Sequence, residues 1–268
     1  MQLDGALADL LALVHTHGTV HPDIANRVTV SPASTLPEYN STWPFRISDL
    51  IDPRQASVLL LFGSMDDRPA TFRRTIVPEE LDVLLTQRST ALRNHPGQVS
   101  FPGGGLEPQD DDEIACAIRE TQEETGVDPN GIIPLGKLPE LPLPVSNFRV
   151  TPVIGWWQHP NEMVTTQEAT RVFRVPVGDL VDPKLRVTAV ATDRSADQRF
   201  GTPAFTVGGT LVWGFTAMII DRVLELLGWA EPWDPRYKID ITEWDATKPV
   251  PAAYFDPDHS EVDLTGQK

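Results

Sequence analysis

The sequence predicts an α+β fold in which a strand-rich middle is combined with helices. An apolar run at residues 57–63 predicts a buried strand, and residues 114–125 have the periodicity of a helix. Further strand-like runs separate that helix from a last one at about residues 215–227. With 268 residues and 40% hydrophobic content, the chain can bury one sizeable core, so we expect one main domain with extensions.

The N-terminal part is expected to hold one helix and a connection. Apolar residues recur at roughly helical spacing within residues 2–16, which predicts an amphipathic helix packed on the main body. These residues are Leu3, Leu10, Leu11 and Val14. Prolines and polar residues dominate residues 21–53 and indicate an extended connection. We therefore assign residues 1–56 to an N-terminal extension.

Strands dominate the predicted main domain, residues 57–227. Runs rich in β-branched and apolar residues, bounded by turn-forming residues such as those at 66–69, predict six strands. They cover residues 57–63, 81–87, 150–157, 171–175, 185–190 and 204–207. Acidic residues before position 114 and Gly126 after position 125 predict the ends of the central helix. Residues 228–268 contain many Pro and Asp residues and are expected to form an irregular tail.

Charge and composition argue against several classes of partner. A formal net charge of −16 would repel a nucleic-acid backbone, and no basic stripe opposes that field, so we expect no polymeric nucleic acid as a partner. No apolar run is long enough to span a bilayer, so we expect no membrane association. The single cysteine, Cys116, excludes an internal disulfide framework and fits a structural thiol in a reducing cytoplasm.

Three glutamates on the central helix form the most informative pattern. Glu120, Glu123 and Glu124 stand at i, i+3 and i+4, so a helical period projects their carboxylates onto one face. The apolar stripe lies elsewhere on the helix and can pack against a sheet. Oxygen ligands of this kind suit Mg²⁺ or Mn²⁺, which share their remaining positions with water and substrate phosphates. The alternative interpretation is a solvated acidic face.

The segment around these glutamates resembles the Nudix signature. Residues 119–127, Arg-Glu-Thr-Gln-Glu-Glu-Thr-Gly-Val, are similar to its second half, with Thr121 at an apolar position. The first half departs from the pattern because an aspartate replaces the first glutamate. Alignment on Gly104 gives Asp110 that place, with eight residues before Arg119 instead of seven. Alignment on Gly105 restores both spacings but uses Asp111, and we favour Gly104 with Asp110 because residues 101–104 then stay in register.

An upstream segment narrows the resemblance to one branch of the family. Residues 84–104, with Leu84-Leu85-Thr86-Gln87-Arg88-Ser89, Leu92-Arg93, Gly97 and Phe101-Pro102-Gly103-Gly104, resemble the upstream motif of coenzyme A pyrophosphatases. Residues 150–155 and 213–217 are also similar to that branch. The resemblance therefore runs from about residue 57 to 227 and leaves both extensions outside it.

The resemblance implies a fold, a chemistry and a set of site residues. It implies an α/β/α sandwich with a mixed β-sheet between helices, and metal-dependent hydrolysis of a nucleoside diphosphate linked to another group. The implied metal ligands are Glu120, Glu123, Glu124 and the carbonyl of Gly104. Arg119 would orient the glutamates by charge-assisted hydrogen bonds. Glu123 is a candidate base, and Glu168 a candidate acid that positions the attacking water or an exposed loop residue.

Two arginines and a glycine are the candidate substrate contacts. Arg88 and Arg93 could bind the phosphates of a coenzyme A-like substrate, because a guanidinium matches phosphate in a bidentate way, with surface salt bridges as the alternative. Gly103 lies in the same segment. We expect a small-molecule nucleoside diphosphate derivative as the substrate, and the family suggests a homodimer.

Three functional hypotheses stay open at this point. The first is hydrolysis of coenzyme A or acyl-coenzyme A to adenosine 3′,5′-bisphosphate and (acyl-)4′-phosphopantetheine. The second is a pyrophosphatase for ADP-ribose, dinucleotides or nucleoside triphosphates, which keeps the metal site and changes the substrate pocket. The third is a nucleotide-binding regulator without turnover, suggested by the replaced first acid. The helix glutamates argue against the third, since a binder gains little from a costly acidic cluster.

Overall fold

The structure is a computed structural model that describes residues 3–25, 43, 45–64, 70–72, 77–91, 96–167, 169–193 and 198–257. Its helices are α1 (Leu3–His17), α2 (Pro22–Ala25), α3 (Glu113–Thr125), α4 (Val177–Val181) and α5 (Gly214–Leu226). Its strands are β1 (Thr19–Val20), β2 (Arg54–Ser64), β3 (Leu81–Arg88), β4 (Val99–Ser100), β5 (Gly103–Gly105), β6 (Ile132–Lys137), β7 (Leu141–Leu143), β8 (Phe148–Trp157), β9 (Ala169–Pro176), β10 (Arg186–Asp193), β11 (Gln198–Val207), β12 (Thr210–Val212), β13 (Tyr237–Asp240) and β14 (Tyr254–Phe255).

A mixed sheet forms the centre of the molecule. Its strands follow the order β1-β6-β8-β2-β3-β4, while β5 pairs with β2, β7 with β8 and β9 with β3. Strands β2 and β8 run parallel over their whole shared length, and the other pairs in this sheet are antiparallel. The predicted mixed sheet is therefore confirmed.

The two faces of this sheet carry separate apolar cores because side chains alternate along each strand. On one face, Leu59 and Leu61 of β2 pack in a cluster with Ile114 and Ala117 of α3. On the other face, Leu60 and Phe62 belong to the larger cluster that includes buried residues of α1, α4 and α5. The sheet therefore lies between helices, as expected for the α/β/α arrangement.

The structure contains a second sheet. The sequence did not predict that its strands form a sheet separate from the first. Its order is β12-β11-β10-β13-β14, with β13 parallel to β10. Phe205 and Val207 of β11 pack in the large core with α5. Val187, Ala204 and Ile239 of this sheet belong to a separate, smaller cluster. The local strand patterns at residues 185–190 and 204–207 predicted the strands but not the sheet to which they belong.

The prediction of an irregular tail is wrong for two stretches, β13 and β14. Strand β13 pairs with β10, and β14 pairs with β13. Only Lys238 and Ile239 of β13 are buried, so the tail has no apolar run that would predict a strand. The ammonium of Lys238 donates to Asp256 at 2.7 Å, which makes burial of a lysine tolerable.

The other predicted elements are present with ends that differ by a few residues. The six strands and three helices predicted from the sequence all have counterparts among the described residues. In the N-terminal connection, the expectation of extended chain is wrong at α2 and at a 3₁₀ turn, Ile47–Asp49. Residues 26–42 and the predicted turn at 66–69 lie outside the described residues. No helix in the described part of the chain is long and apolar enough to cross a membrane.

Candidate active site

Helix α3 is fixed at both ends by local hydrogen bonds. The side chain of Asp112 caps its first turn by accepting from the backbone N–H of Ala115 at 2.8 Å. At the other end Gly126 has φ of 70° and its N–H donates to the carbonyl of Gln122 at 2.9 Å. That left-handed conformation favours glycine, which ends the helix here. The direction of the acidic face is therefore set by the caps and by the buried apolar stripe together.

A strand of three glycines runs beside the acidic face. Residues Gly103–Gly105 pair as β5 with Ala56–Val58 of β2. A Cβ on Gly103 would overlap the backbone of β2, and a Cβ on Gly104 would overlap the carboxylate of Glu120. Because Gly103 and Gly104 have no side chains, β5 can lie against both β2 and the carboxylate of Glu120 on α3.

The three helix glutamates differ in exposure. Glu124 is buried, and its Oε2 accepts from the backbone N–H of Gly103 at 3.3 Å. The side chain of Glu120 is 17% exposed and lies against Gly104, whereas that of Glu123 is 59% exposed. Burial raises the pKa of Glu120, and the adjacent guanidinium of Arg119 opposes that rise. Two of the predicted ligands, Glu120 and Glu124, therefore lie against β5, while Glu123 faces solvent.

Arg119 connects the helix to the acidic segment before it. Its Nε and Nη2 donate to the two carboxylate oxygens of Asp110 at 2.8 and 2.9 Å. Its Nη1 donates to Glu120 at 3.0 Å and to Glu123 at 3.2 Å. The guanidinium bonds hold the pKa of Asp110 at about 2, below its usual 3.8, and the carboxylates raise the pKa of Arg119. These contacts agree with the predicted orienting role of Arg119, which stays a prediction.

Asp110, rather than Asp111, is the acid that contacts Arg119. The side chain of Asp110 is only 3% exposed, whereas Asp111 is exposed. The geometry thus favours the alignment of Gly104 with Asp110 over that of Gly105 with Asp111. A carboxylate one carbon shorter than glutamate still reaches the guanidinium, because Asp110 lies in the turn beside it, where its side chain also accepts from the backbone N–H of Glu107 at 2.9 Å.

The oxygen donors beside α3 fit a hard divalent cation by their chemistry. Glu120, Glu123, Glu124 and the carbonyl of Gly104 supply carboxylate and carbonyl oxygens without sulfur or imidazole, which suits magnesium or manganese better than zinc. Within the described residues, no three His, Cys, Asp or Glu side chains already converge on one point that could hold a metal. The glutamates therefore share a face without forming a closed set of ligands.

The predicted substrate contacts are only partly within the described residues. Arg88 ends β3, where the pairing with β9 is irregular, and its backbone N–H donates to Gln98 at 2.9 Å. Its buried Nε has no hydrogen-bond partner among the described residues. Arg93 and Glu168 lie outside the described residues, so their roles stay predictions. The third candidate, Gly103, contacts Glu124 through its backbone N–H.

One contact near the upstream motif was missed in the sequence analysis. Gly97, with φ of 70°, lies so close to Ala246 that an added Cβ would be 2.8 Å from the Ala246 Cβ. The side chain of Gln87 donates to the carbonyl of Gly97 at 3.0 Å, which joins this turn to β3. The C-terminal segment thus contacts the candidate substrate-binding region. A small residue such as Ala246, far away in sequence, gives no local signal for that contact.

The two neighbouring glycines of β5 offer a matched test of the contact with Glu120. We expect Gly104→Ala to displace the Glu120 carboxylate and to raise the magnesium concentration for half-maximal hydrolysis by at least about 10-fold, as for disrupted partners of metal ligands. Gly105→Ala is the control, because among the described residues its Cβ would meet only the Gln55 carbonyl, at 3.9 Å. Equal magnesium requirements of the two variants, with unchanged melting temperatures, would contradict the importance of this contact.

An acidic helix face of oxygen donors suits an enzyme that binds divalent ions and uses them on phosphate groups. Comparison with known proteins identifies the family: the model of the NUDIX domain matches residues 68–193. The chain belongs to the Nudix hydrolase family and is an enzyme of the diphosphatase type. Nudix hydrolases generally use divalent metal ions.

The chain is similar to two bacterial proteins called "Uncharacterized Nudix hydrolase NudL". The chain is 38% identical over 146 residues to the one from Pectobacterium atrosepticum, covering 53% of this chain and 72% of that protein. It is 32% identical over 185 residues to the one from Enterobacter sp., covering 67% of this chain and 86% of that protein. A solved Nudix hydrolase from M. smegmatis aligns over 48% of this chain and 74% of its own, with 19% identity and a TM-score of 0.38.

Proposed function

We propose that this Nudix hydrolase splits the diphosphate of coenzyme A or an acyl-coenzyme A, giving adenosine 3′,5′-bisphosphate and (acyl-)4′-phosphopantetheine. The observation that carries the proposal is the continuity of the upstream motif with the acidic helix. From Arg88 the chain passes through β4, which pairs with β3, to Gly103 and Gly104, which contact Glu124 and Glu120. The segment similar to coenzyme A pyrophosphatases therefore ends at the candidate metal ligands.

Each site residue has a role in this proposal. Glu120, Glu123, Glu124 and the Gly104 carbonyl would hold magnesium or manganese, which when bound neutralises the diphosphate and activates water. Arg119 positions Glu120 and Glu123 through its hydrogen bonds, and Asp110 fixes the guanidinium. Neither of these two residues touches the reacting atoms.

The hydrolytic step needs a base and a phosphate contact. A water oxygen forms a bond to one phosphorus, and the bond from that phosphorus to the bridging oxygen breaks with its electron pair. Glu123, the most exposed of the three glutamates, is suited to accept the proton of the water because solvent and substrate can reach it. Arg88, whose buried Nε has no hydrogen-bond partner within the described residues, is the proposed contact for a substrate phosphate. Arg93 and Glu168 complete the proposed site as a second phosphate contact and a water-positioning acid.

The catalytic unit, the partners and the location of the enzyme are part of the proposed function. We propose residues 57–227 as the catalytic unit, with a small-molecule substrate, no polymeric nucleic acid partner and a possible homodimer. A cytoplasmic location is supported by Cys116, the single cysteine of the sequence, which is a buried free thiol.

A substrate panel tests the proposed branch. Purified full-length protein is incubated with coenzyme A, ADP-ribose or deoxynucleoside triphosphates, with magnesium or with chelator, and the products are separated by chromatography. We expect metal-dependent formation of adenosine 3′,5′-bisphosphate from coenzyme A at a higher kcat/KM than for the other substrates. Cleavage of ADP-ribose or nucleoside triphosphates with coenzyme A left intact would overturn the coenzyme A assignment. Absence of turnover on all three would overturn the proposed function and favour the nucleotide-binding regulator.

A further inference from the structure

A cavity of about 590 Å³ lies between the second sheet and the C-terminal segment. Its walls include Lys184, Arg186, Trp233, Asp234 and Tyr237, and its described lining contains no residue of α3 or β5. The volume is within the range of about 300–1,000 Å³ that is typical of small-molecule pockets. Because its described lining includes none of the residues assigned to the candidate active site, we treat the cavity as a separate feature.

Two aromatic side chains in these walls are held by their neighbours. The guanidinium carbon of Arg186 lies over the ring of Trp233, 4.8 Å from its centroid, and over Phe205 at 5.1 Å. The ring of Tyr237 makes an edge contact with Phe255 at a centroid distance of 5.4 Å, yet 48% of Tyr237 is exposed. Aromatic rings held in this way offer surfaces on which a planar ligand could stack.

The charges around the cavity favour an anionic ligand. Both oxygens of Asp234 accept from Arg236, at 2.9 and 2.8 Å, so the negative charge of Asp234 is already compensated. Arg186 is 3% exposed and pairs with Asp221, and its Nε has no hydrogen-bond partner within the described residues. The side chain of Lys184 is exposed and forms no ion pair with the part of the chain that the structure describes. Lys184 therefore adds a positive charge at the edge of the cavity, where its backbone N–H donates to Asp182 at 2.9 Å and its ammonium is exposed.

We propose that this cavity binds a small planar aromatic molecule that carries a phosphate or carboxylate group. Its ring stacks on Trp233 between the apolar walls, and its anionic group lies beside Lys184, with Arg186 as the second cation at the wall. A binding site built in this way recognises the ring by contact area and the anion by charge, so a ligand needs both parts.

Isothermal titration of the full-length protein in the presence of chelator tests this site without turnover. The probes are adenosine 5′-monophosphate and indole-3-carboxylate, and adenosine and indole are their uncharged counterparts. We expect at least one charged probe to bind at one site at least about 10-fold more tightly than its counterpart, which corresponds to about 1.4 kcal/mol. The probe that binds identifies phosphate or carboxylate as the preferred anion.

Substitutions then assign the binding to this cavity. Lys184→Glu reverses an exposed charge without a packing change, and Trp233→Leu removes the stacking surface; each should weaken binding at least about 10-fold. Lys248→Glu is the matched control, since this exposed lysine lies outside the cavity walls and should leave binding unchanged. Hydrolysis by Trp233→Leu should equal that of the wild type and would show that the variant folds. No saturable binding of either charged probe, equal affinity for charged and neutral probes, or binding lost in Arg88→Ala but kept in Lys184→Glu would overturn the proposal.

Discussion

Replacement of Glu124 by glutamine is expected to lower kcat/KM for the preferred substrate by at least about 100-fold, equivalent to about 2.7 kcal/mol of lost transition-state stabilisation. Partners that only orient a metal ligand already contribute about 10–100-fold. Removal of the negative charge of a proposed ligand should therefore cost at least as much. Glutamine keeps an oxygen that can accept from the backbone N–H of Gly103, so the fold should be unchanged.

The control for this experiment is the same substitution at an exposed loop glutamate, Glu162→Gln. Steady-state rates with magnesium, together with circular dichroism and melting temperatures, distinguish loss of catalysis from loss of structure. We expect Glu162→Gln to behave as the wild type in both respects. A Glu124→Gln enzyme that keeps more than a tenth of wild-type kcat/KM would exclude Glu124 as an essential ligand.

Removal of Arg119 is expected to reduce both stability and activity. Arg119→Ala leaves the carboxylate of Asp110, only 3% exposed, without its cation, and loss of hydrogen bonds to a charged group costs about 1.5–3 kcal/mol. Glu120 and Glu123 lose a hydrogen bond each, so we also expect kcat/KM to fall by about 10–100-fold. Denaturant unfolding and steady-state kinetics measure the two effects.

A double-mutant cycle with Asp110→Ala isolates the ion pair. If the pair accounts for the effect on stability, Arg119→Ala should cost much less when Asp110 is already alanine. Additive losses of the two single variants would contradict coupling between these side chains. Arg119→Lys keeps the charge but cannot reproduce two parallel bonds to one carboxylate, so its stability should lie between those of the wild type and Arg119→Ala.

The ion pair also predicts an acid dependence. The pKa of Asp110 in the folded protein is about 2, below its usual 3.8, so the folded state favours the ionised carboxylate. The stabilisation is therefore complete well above pH 3.8 and is lost as the pH falls through this value toward 2. The difference in unfolding free energy between the wild type and Asp110→Asn should shrink over this range. If the difference in unfolding free energy stays constant from pH 5 to below pH 3, the lowered pKa of Asp110 is not its cause.

The parts of the fold that sequence predicted well are those with local causes. Helix α3 was predicted because acidic residues before position 114 and Gly126 indicate its ends and because residues 114–125 have helical periodicity. The same period predicted that Glu120, Glu123 and Glu124 share a face. Strands β2 and β8 were evident because a central strand buried on both faces is apolar over its whole length.

Features that depend on distant pairing were missed. Strand β13 is held by β10 and by the bond between Lys238 and Asp256, and none of these interactions leaves an apolar pattern in the tail. The different exposures of Glu123 and Glu124 depend on the position of the glycine strand, which the periodicity of the helix does not encode. The choice between Asp110 and Asp111 likewise required the position of the guanidinium of Arg119.

Hydrolysis in ¹⁸O-labelled water with coenzyme A, with magnesium or with chelator, tests the central claim most directly. Attack of water on the phosphoanhydride predicts that each turnover with magnesium adds one ¹⁸O atom to one of the two phosphorylated products, adenosine 3′,5′-bisphosphate or 4′-phosphopantetheine, as measured by mass spectrometry. Chelator should abolish product formation. Turnover that persists in chelator, or products that carry no label, would contradict metal-dependent attack of water at the acidic helix.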